Sequence, residues 1–243
     1  MKKVLLAAAF VALTPLCLAE TVSIGAEDDW YPYSGKVNGQ AKGMAVDIVG
    51  AAFKAAGIDV KFESLPYARC MAMAKSGEVA GCFDTARNST LEKEYLWHKQ
   101  PLFKARIAIY ARADSKQSGL TTKDLEGKDV GVTNDYEYGE EFDRNTKIRR
   151  SVSNQDEQGF RKLAAGRVEY MVAYEKVADA VFKKNEKDFA GKFKAVGETA
   201  VPELYIAFSQ KRPDNQKIVD AFNKGMDAIQ KDGTYKQIVD RWK

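Results

Sequence analysis

The hydrophobic positions change period along the chain, and each change marks an element. Val22, Ile24 and Ala26 alternate with polar residues, the period-two pattern of a half-buried strand. Ala45, Ile48, Val49, Ala52, Phe53 and Ala56 then recur at helical spacing after Gly43-Met44, and Gly57 is the expected stop. Ile58, Val60 and Phe62 alternate again. Pro66-Tyr67-Ala68-Arg69 opens a second helix, with proline in its first turn, that closes at Gly77. Residues 79–83 read as a third strand. The order β-α-β-α-β predicts a parallel sheet with right-handed crossovers.

The second half follows a similar plan without repeating the sequence. Residues 106–111 predict a connector strand with no long helix before it. A short turn over 121–125 and a strand over 129–132 follow, then a loop from Thr133 to Gly139 and a helix beginning near Tyr138. Asn154 and Glu157 match a capping box for a helix with Phe160, Leu163 and Ala164 that ends at Gly166. Residues 168–173 form a buried-type strand ending in Tyr174-Glu175, 177–184 a helix, and 193–196 a strand. A second connector strand spans 205–209. Ile218, Phe222, Met226 and Ile229 mark a long amphipathic helix, Asp232-Gly233 breaks it, and 234–242 form a final helix. Two α/β units joined by two connectors predict a hinged, two-lobe molecule with a cleft where the strand ends of both lobes meet.

A length of 243 residues suits one large or two small domains, and 45% apolar residues suffice for a full core. Lys2 and Lys3, the apolar run 4–13 and Cys17-Leu18-Ala19 before Glu20 read as a secretory signal over residues 1–19. The run falls below the ~20 residues that span a bilayer. Cys17 hints at a lipidated start, but Leu16 is bulky for that and Thr14 replaces the expected leucine. The mature chain is expected to be soluble and exported. Losing Lys2 and Lys3 lowers the formal charge from +4 to +2. That near balance, with no basic stripe, argues against nucleic acid as a partner.

Cleavage would leave Cys70 and Cys82 in an oxidising compartment, which favours a disulfide; two buried thiols are the alternative. The only histidine, His98, is distant from them, and structural zinc wants four ligands, so no metal or cofactor is expected.

Two stretches carry candidate chemistry. Glu27-Asp28-Asp29-Trp30-Tyr31-Pro32-Tyr33-Ser34-Gly35 places acids beside rings, suited to stacking on and pairing with a ligand. The strand over 79–83 ends in Asp84, Thr85 and Arg87, a carboxylate, a hydroxyl and a guanidinium at the strand end where open α/β sheets bind ligands. The loop after Thr133 precedes a helix start, an anion-friendly place, yet Asp135 and Glu137 oppose that use and point to a ligand with positive charge.

The mature chain resembles the family 3 solute-binding proteins of bacterial ABC importers, which carry polar amino acids. The resemblance rests on Trp30-Tyr31-Pro32-Tyr33-Ser34, Gly43-Met44-Ala45-Val46-Asp47-Ile48, Leu65-Pro66-Tyr67, Lys75-Ser76-Gly77, the turn over 87–101, the run 125–132 and Asp232-Gly233-Thr234-Tyr235. It implies a type II periplasmic binding-protein fold. Residues 20–108 with 202–243 would form lobe 1, residues 109–201 lobe 2, and the lobes would be joined by hinge strands. It implies a monomer in the periplasm that delivers a small polar ligand to an inner-membrane permease. Glu27 sits where the family often has an aspartate near the ligand amine, and Trp30 and Tyr67 where rings sandwich the ligand. Tyr33, Arg69, Asp84, Thr85, Arg87, Tyr136, Glu137, Tyr138, Tyr174 and Glu175 complete the expected ligand-binding set.

Two departures from the family pattern matter. Glu92 or Lys93 falls where amino-acid binders carry the carboxylate-gripping arginine, leaving Arg87 or Arg69 for that role. Tyr174, with Glu175 beside it, replaces an aspartate common at the strand end. The acids Glu27, Asp28, Asp84, Asp135 and Glu137 leave room for an amine-bearing ligand, although at least half are expected to face water. Two other functions compete. One is a sensor that presents ligand to a membrane receptor. The other is a cyclohexadienyl dehydratase-like enzyme using Glu175 as general acid, against which no nucleophile–base pair is visible.

Overall fold

The computed structural model describes residues 21–242. The signal segment 1–19 and Cys17 lie outside the described residues. Strand β1 (Thr21–Glu27) leads into a small antiparallel sheet, β2 (Asp29–Trp30), β3 (Ser34–Val37) and β4 (Gln40–Lys42), where the sequence pattern shows only a loop. Helix α1 (Met44–Ala55), β5 (Asp59–Leu65), α2 (Tyr67–Ser76) and β6 (Gly81–Ala86) follow. A one-turn helix α3 (Leu91–Glu94), β7 (Tyr95–Trp97) and β8 (Phe103–Lys104) lead to the crossing strand β9 (Ile107–Arg112). Beyond it come β10 (Asp129–Thr133), α4 (Glu140–Arg144), β11 (Arg149–Ser153), α5 (Asp156–Ala164) and β12 (Tyr170–Tyr174). Helices α6 (Glu175–Lys184) and α7 (Glu186–Phe189), strands β13 (Phe193–Ala200) and β14 (Glu203–Ser209), and helices α8 (Asn215–Lys231) and α9 (Thr234–Arg241) complete the chain.

Two mixed sheets result. The first runs β5-β1-β6-β14-β7, with β8 also paired to β14; β1 is parallel to β5 and β6, and β14 is antiparallel. The second runs β11-β10-β12-β9-β13. Strands β9 and β13 enter it antiparallel, so the second unit is not a parallel repeat of the first. Strand β11 has no counterpart in the apolar pattern. Arg149-Arg150-Ser151-Val152-Ser153 buries only Ser153, while Val152 is 52% exposed, as an edge strand permits. The expected capping box at Asn154 and Glu157 does not form. Gln155 is the N-cap of α5, and Asp156 turns inward to accept a hydrogen bond from Thr133 Oγ1. A capping box forms instead at Thr121 and Asp124. The third strand begins at Gly81, not at residue 79, with Ala80 N already donating to Ser23 O at 2.8 Å just ahead of it.

The amphipathic helices bury the stripes their spacing predicts. Ala45, Ile48, Val49, Ala52 and Phe53 of α1 pack against α8, which contributes Ile218, Phe222 and Met226. Each such large side chain adds on the order of 1.5–3 kcal/mol on leaving water. Gly225 makes the approach possible, since a Cβ there would lie 1.9 Å from Ala52 O. Cys70 and Cys82 are bonded, with Cα atoms 5.7 Å apart, which fixes α2 over β6. His98 is a core residue: Nε2 accepts from Ile206 N at 2.9 Å, and burial pulls the imidazole down to about 3. Among the described residues, no helix is long and apolar enough to cross a membrane.

Candidate functional site

Four rings and three carboxyl groups converge where the two sheets face each other. The first sheet and its connections supply Glu27, Trp30, Tyr67 and Asp84; the second supplies Tyr136, Glu137 and Tyr174. Glu27 is the last residue of β1 and Tyr174 the last of β12, so both lie at strand ends. Tyr67 is the first residue of α2, positioned by Pro66 before it. Trp30 rests on Tyr33 at 4.6 Å, and Tyr33 stacks on Phe103 at 4.7 Å, so Tyr33 supports the cage from behind.

Asp84 reaches the cage through a bulge. In the pairing of β6 with β14, Phe83 opposes Ile206 and Thr85 opposes Tyr205, leaving Asp84 without a partner. Its φ is 68°, the left-handed region that aspartate tolerates better than most residues. Bulges re-aim side chains beside functional sites. Here the carboxyl group is turned into the interior, 4% exposed, and neither oxygen has a hydrogen-bond partner. Thr85, one step on, points the other way: Oγ1 donates to Cys82 O at 3.3 Å and contacts Met71 Sδ.

Hydrogen bonds stitch the two sides together. Tyr136 donates its hydroxyl to Glu27 Oε1. Tyr67 donates to Glu137 Oε2 at 2.8 Å, and Tyr174 donates to Glu137 O at 2.9 Å. Trp30 meets Tyr174 edge-on at 4.8 Å, and Tyr67 meets Tyr136 edge-on at 5.5 Å. The space left among these groups admits about 10 Å³ of water-sized volume. A wider groove of about 410 Å³ lies between the β2–β3 hairpin and helices α5 and α6, lined by Asp28, Asp29, Asp156 and Glu157 among others.

The cage is electrostatically one-sided. No lysine or arginine lines it among the described residues. Burial raises the Asp84 carboxyl to about 8; the neighbouring Ser34 hydroxyl tempers the rise without reaching hydrogen-bond geometry. Burial likewise raises Glu137 to about 8 against the Tyr67 hydrogen bond. Glu27 is pushed well above the carboxylate range by burial, with Tyr136 opposing and the nearby Asp84 and Asp156 adding to the rise.

The other expected site residues lie elsewhere. Arg87 is exposed and forked onto Glu92, with Nε 2.8 Å from Oε2, and its guanidinium carbon sits 5.2 Å from the Trp97 ring and 5.1 Å from Tyr205. Arg69 is exposed on α2. Glu175 pairs with Arg106 at 2.5 Å outside the cage. Tyr138 is buried behind the cage, where its hydroxyl accepts from Thr133 N at 2.7 Å. Asp28 and Asp135 also fall outside. The sequence reading missed Ser34, buried without a partner near Asp84, and Asp156, buried and raised to about 6 by desolvation. Ser34 closes the Trp30-Tyr31-Pro32-Tyr33-Ser34 stretch, but nothing in the pattern marks it as a site residue among the acids and rings there. Asp156 passes for an ordinary first-turn acid of a helix.

Comparison with known proteins places this geometry. The family model described as bacterial extracellular solute-binding proteins, family 3, matches residues 22–243. The probable amino-acid-binding protein YxeM of Bacillus subtilis (strain 168) is 26% identical over 223 residues, covering 90% of this chain and 82% of its own. The ABC transporter arginine-binding protein 1 of Escherichia coli (strain K12) is 21% identical over 248 residues, covering 100% and 99%. Among solved structures, an ancestral arginine-binding protein bound to arginine superposes with a TM-score of 0.78 at 25% identity, covering 91% of this chain and 97% of its own.

Proposed function

This chain belongs to the bacterial extracellular solute-binding proteins, family 3, and on that premise we propose that it captures a small polar solute between its lobes and delivers it to an ABC importer. The solute is an amino acid or a related amine. One observation carries the reading: a single buried cage takes its walls from both sheets, and the hydrogen bonds and ring contacts of Tyr67, Tyr136 and Tyr174 bridge it. The space of about 10 Å³ left there holds no solute as it stands, so the lobes must part to admit one. A ligand then enclosed among these groups is touched by both lobes at once and favours the closed form over the open one, the hinge closure of periplasmic binding proteins. Residues 20–108 with 202–243 act as one lobe and 109–201 as the other, pivoting where Ala105 N meets Pro202 O at 3.1 Å. Segment 1–19 directs the chain to the periplasm, where it meets an inner-membrane permease as a monomer.

Relatives named for binding amino acids, arginine among them, support the solute class. They are named as binding proteins, not enzymes. Thermal unfolding against a panel of amino acids, amines and small carboxylates tests the proposal. A solute at ~100 times its Kd adds about 2.7 kcal/mol of stability, and the intrinsic fluorescence of Trp30 should change with it. No shift from any panel member would overturn the reading.

A further inference from the structure

We propose that the cage takes an organic cation that carries no carboxylate, an alkylammonium or guanidinium-type amine. This inference rests on the solute-capture reading above and narrows its substrate class. The cage presents three carboxyl groups, Glu27, Asp84 and Glu137, and, among the described residues, no lysine or arginine. Two of them already accept hydrogen bonds from tyrosine hydroxyls of the opposite lobe, but Asp84, 4% exposed, leaves both oxygens without a donor. A buried acceptor without a donor costs free energy that a ligand N–H recovers. The strained bulge that holds Asp84 inward is maintained by the surrounding sheet, as expected where strain serves a site. Rings around the same space suit a cation through their electron-rich faces.

A carboxylate finds no matching partner. Its usual grip is a guanidinium fork. Arg87 spends its fork on Glu92, Arg106 is engaged by Glu175 and Glu198, and Arg69 is exposed on α2 and does not line the cage. Arg150, in the groove beyond Tyr136 and Glu137, donates to the carbonyls of Phe142, Asp143 and Asn145. Trp30, in the cage, and Ser34, beside Asp84, each have an unpartnered donor, Nε1 and Oγ, and both are neutral. An ammonium seated on Asp84 favours that carboxyl's ionised form over the protonated one that burial favours in the empty cage. An α-amino acid carries its carboxylate on the carbon that bears the ammonium, so that carboxylate would lie beside the anion so formed, with no lysine or arginine among the cage's described lining residues. Lys36, Lys183 and Lys184 line the outer groove, and none of them lines the cage.

Matched pairs that differ only in the α-carboxylate test this directly: agmatine against L-arginine, and cadaverine against L-lysine. Calorimetric titration of the full chain, stripped of bound solute by unfolding and refolding, should show the decarboxylated member of a pair binding at least tenfold more tightly. Asp84→Asn keeps a residue that tolerates the left-handed conformation and should weaken amine binding at least tenfold, with circular dichroism unchanged; Glu137→Gln should weaken it as well. An amino acid that outbinds its decarboxylated partner overturns the inference and leaves solute capture standing. So does a panel in which only neutral or acidic solutes bind. Unchanged amine affinity in Asp84→Asn overturns the assignment of the cage. Failure of every solute in the panel overturns the solute-capture reading with it.

Discussion

Asp84 and Arg87 stand three residues apart at one end of β6 and meet opposite fates. Arg87 turns outward and is satisfied: a carboxylate fork from Glu92 on one side, and the rings of Trp97 and Tyr205 against its guanidinium. Asp84 turns inward and is not satisfied at all. By residue type alone the arginine is the better candidate for gripping a ligand. The difference teaches that the group with its bonding capacity unspent is the one left to bind something else, while a guanidinium already forked onto a carboxylate and laid against rings is part of the framework.

Acidity offers the widest contrast. Asp84 and Glu137 are held near 8 by burial, against ordinary values of about 4 in the unfolded chain. Between those values the folded protein keeps protons that the unfolded chain has lost, so stability falls as pH rises. The contribution is intact below the ordinary carboxyl range and is gone once pH has passed 8. Each such group costs on the order of 1.4 kcal/mol per pH unit across that window. Glu27 in the cage and Asp156 and Asp29 in the adjoining groove act in the same direction. The Tyr136, Tyr67 and Thr133 hydroxyls and, at Asp29, Lys184 oppose the rises, and no lysine or arginine is among the described residues lining the cage. Urea unfolding of the ligand-free protein at pH 5, 6.5 and 8 should show a steady decline. A rise over that range would mean the carboxyl groups find cationic partners.

The disulfide comes next, because it ties α2 to β6, the strand that carries Asp84 and ends just before Arg87. Replacing Cys70 and Cys82 with alanine should cost about 2–4 kcal/mol, read from the urea midpoint. The loss should be accompanied by weaker ligand binding, since α2 carries Tyr67 and β6 carries Asp84. Asp84→Gly sharpens the comparison further. It removes a buried unpartnered carboxyl and relieves the left-handed backbone, so the free protein should gain about 1–3 kcal/mol at pH 7 while losing affinity for its ligand. A destabilised Asp84→Gly protein would show that Asp84 has a structural partner. The smallest effect is expected of Arg87→Ala. Exposed ion pairs and exposed cation–π contacts are each worth at most about 1 kcal/mol. Its thermal midpoint should fall slightly, and the stabilisation by a saturating ligand should persist. Loss of that stabilisation would return Arg87 to the site.

Much of the fold is legible in the chain's periodicity because burial and period are tied by geometry. Helices α1 and α8 and strand β1 lie where apolar residues recur at helical or alternating spacing. Strand β11 is not legible: an edge strand that buries one serine leaves no apolar trace. The cage was legible in its ingredients, since Glu27, Trp30, Tyr67, Tyr136, Glu137 and Tyr174 stand at strand ends or in the loops beyond them. Whether the polar members point inward was not legible. Asp84, Thr85 and Arg87 read alike as a polar strand end, and a one-residue bulge sends the first inside and leaves the last outside.

The sequence by itself determined the alternation of strands and helices, the stripes that fill the core, and the pairing chemistry that two cysteines make available, because these depend on local spacing and composition. Only the tertiary structure decided which charges are neutralised. Burial, bulge register and the approach of the second sheet set the surroundings of each carboxyl group, and those surroundings come from residues a hundred positions away, as Tyr136 stands to Glu27.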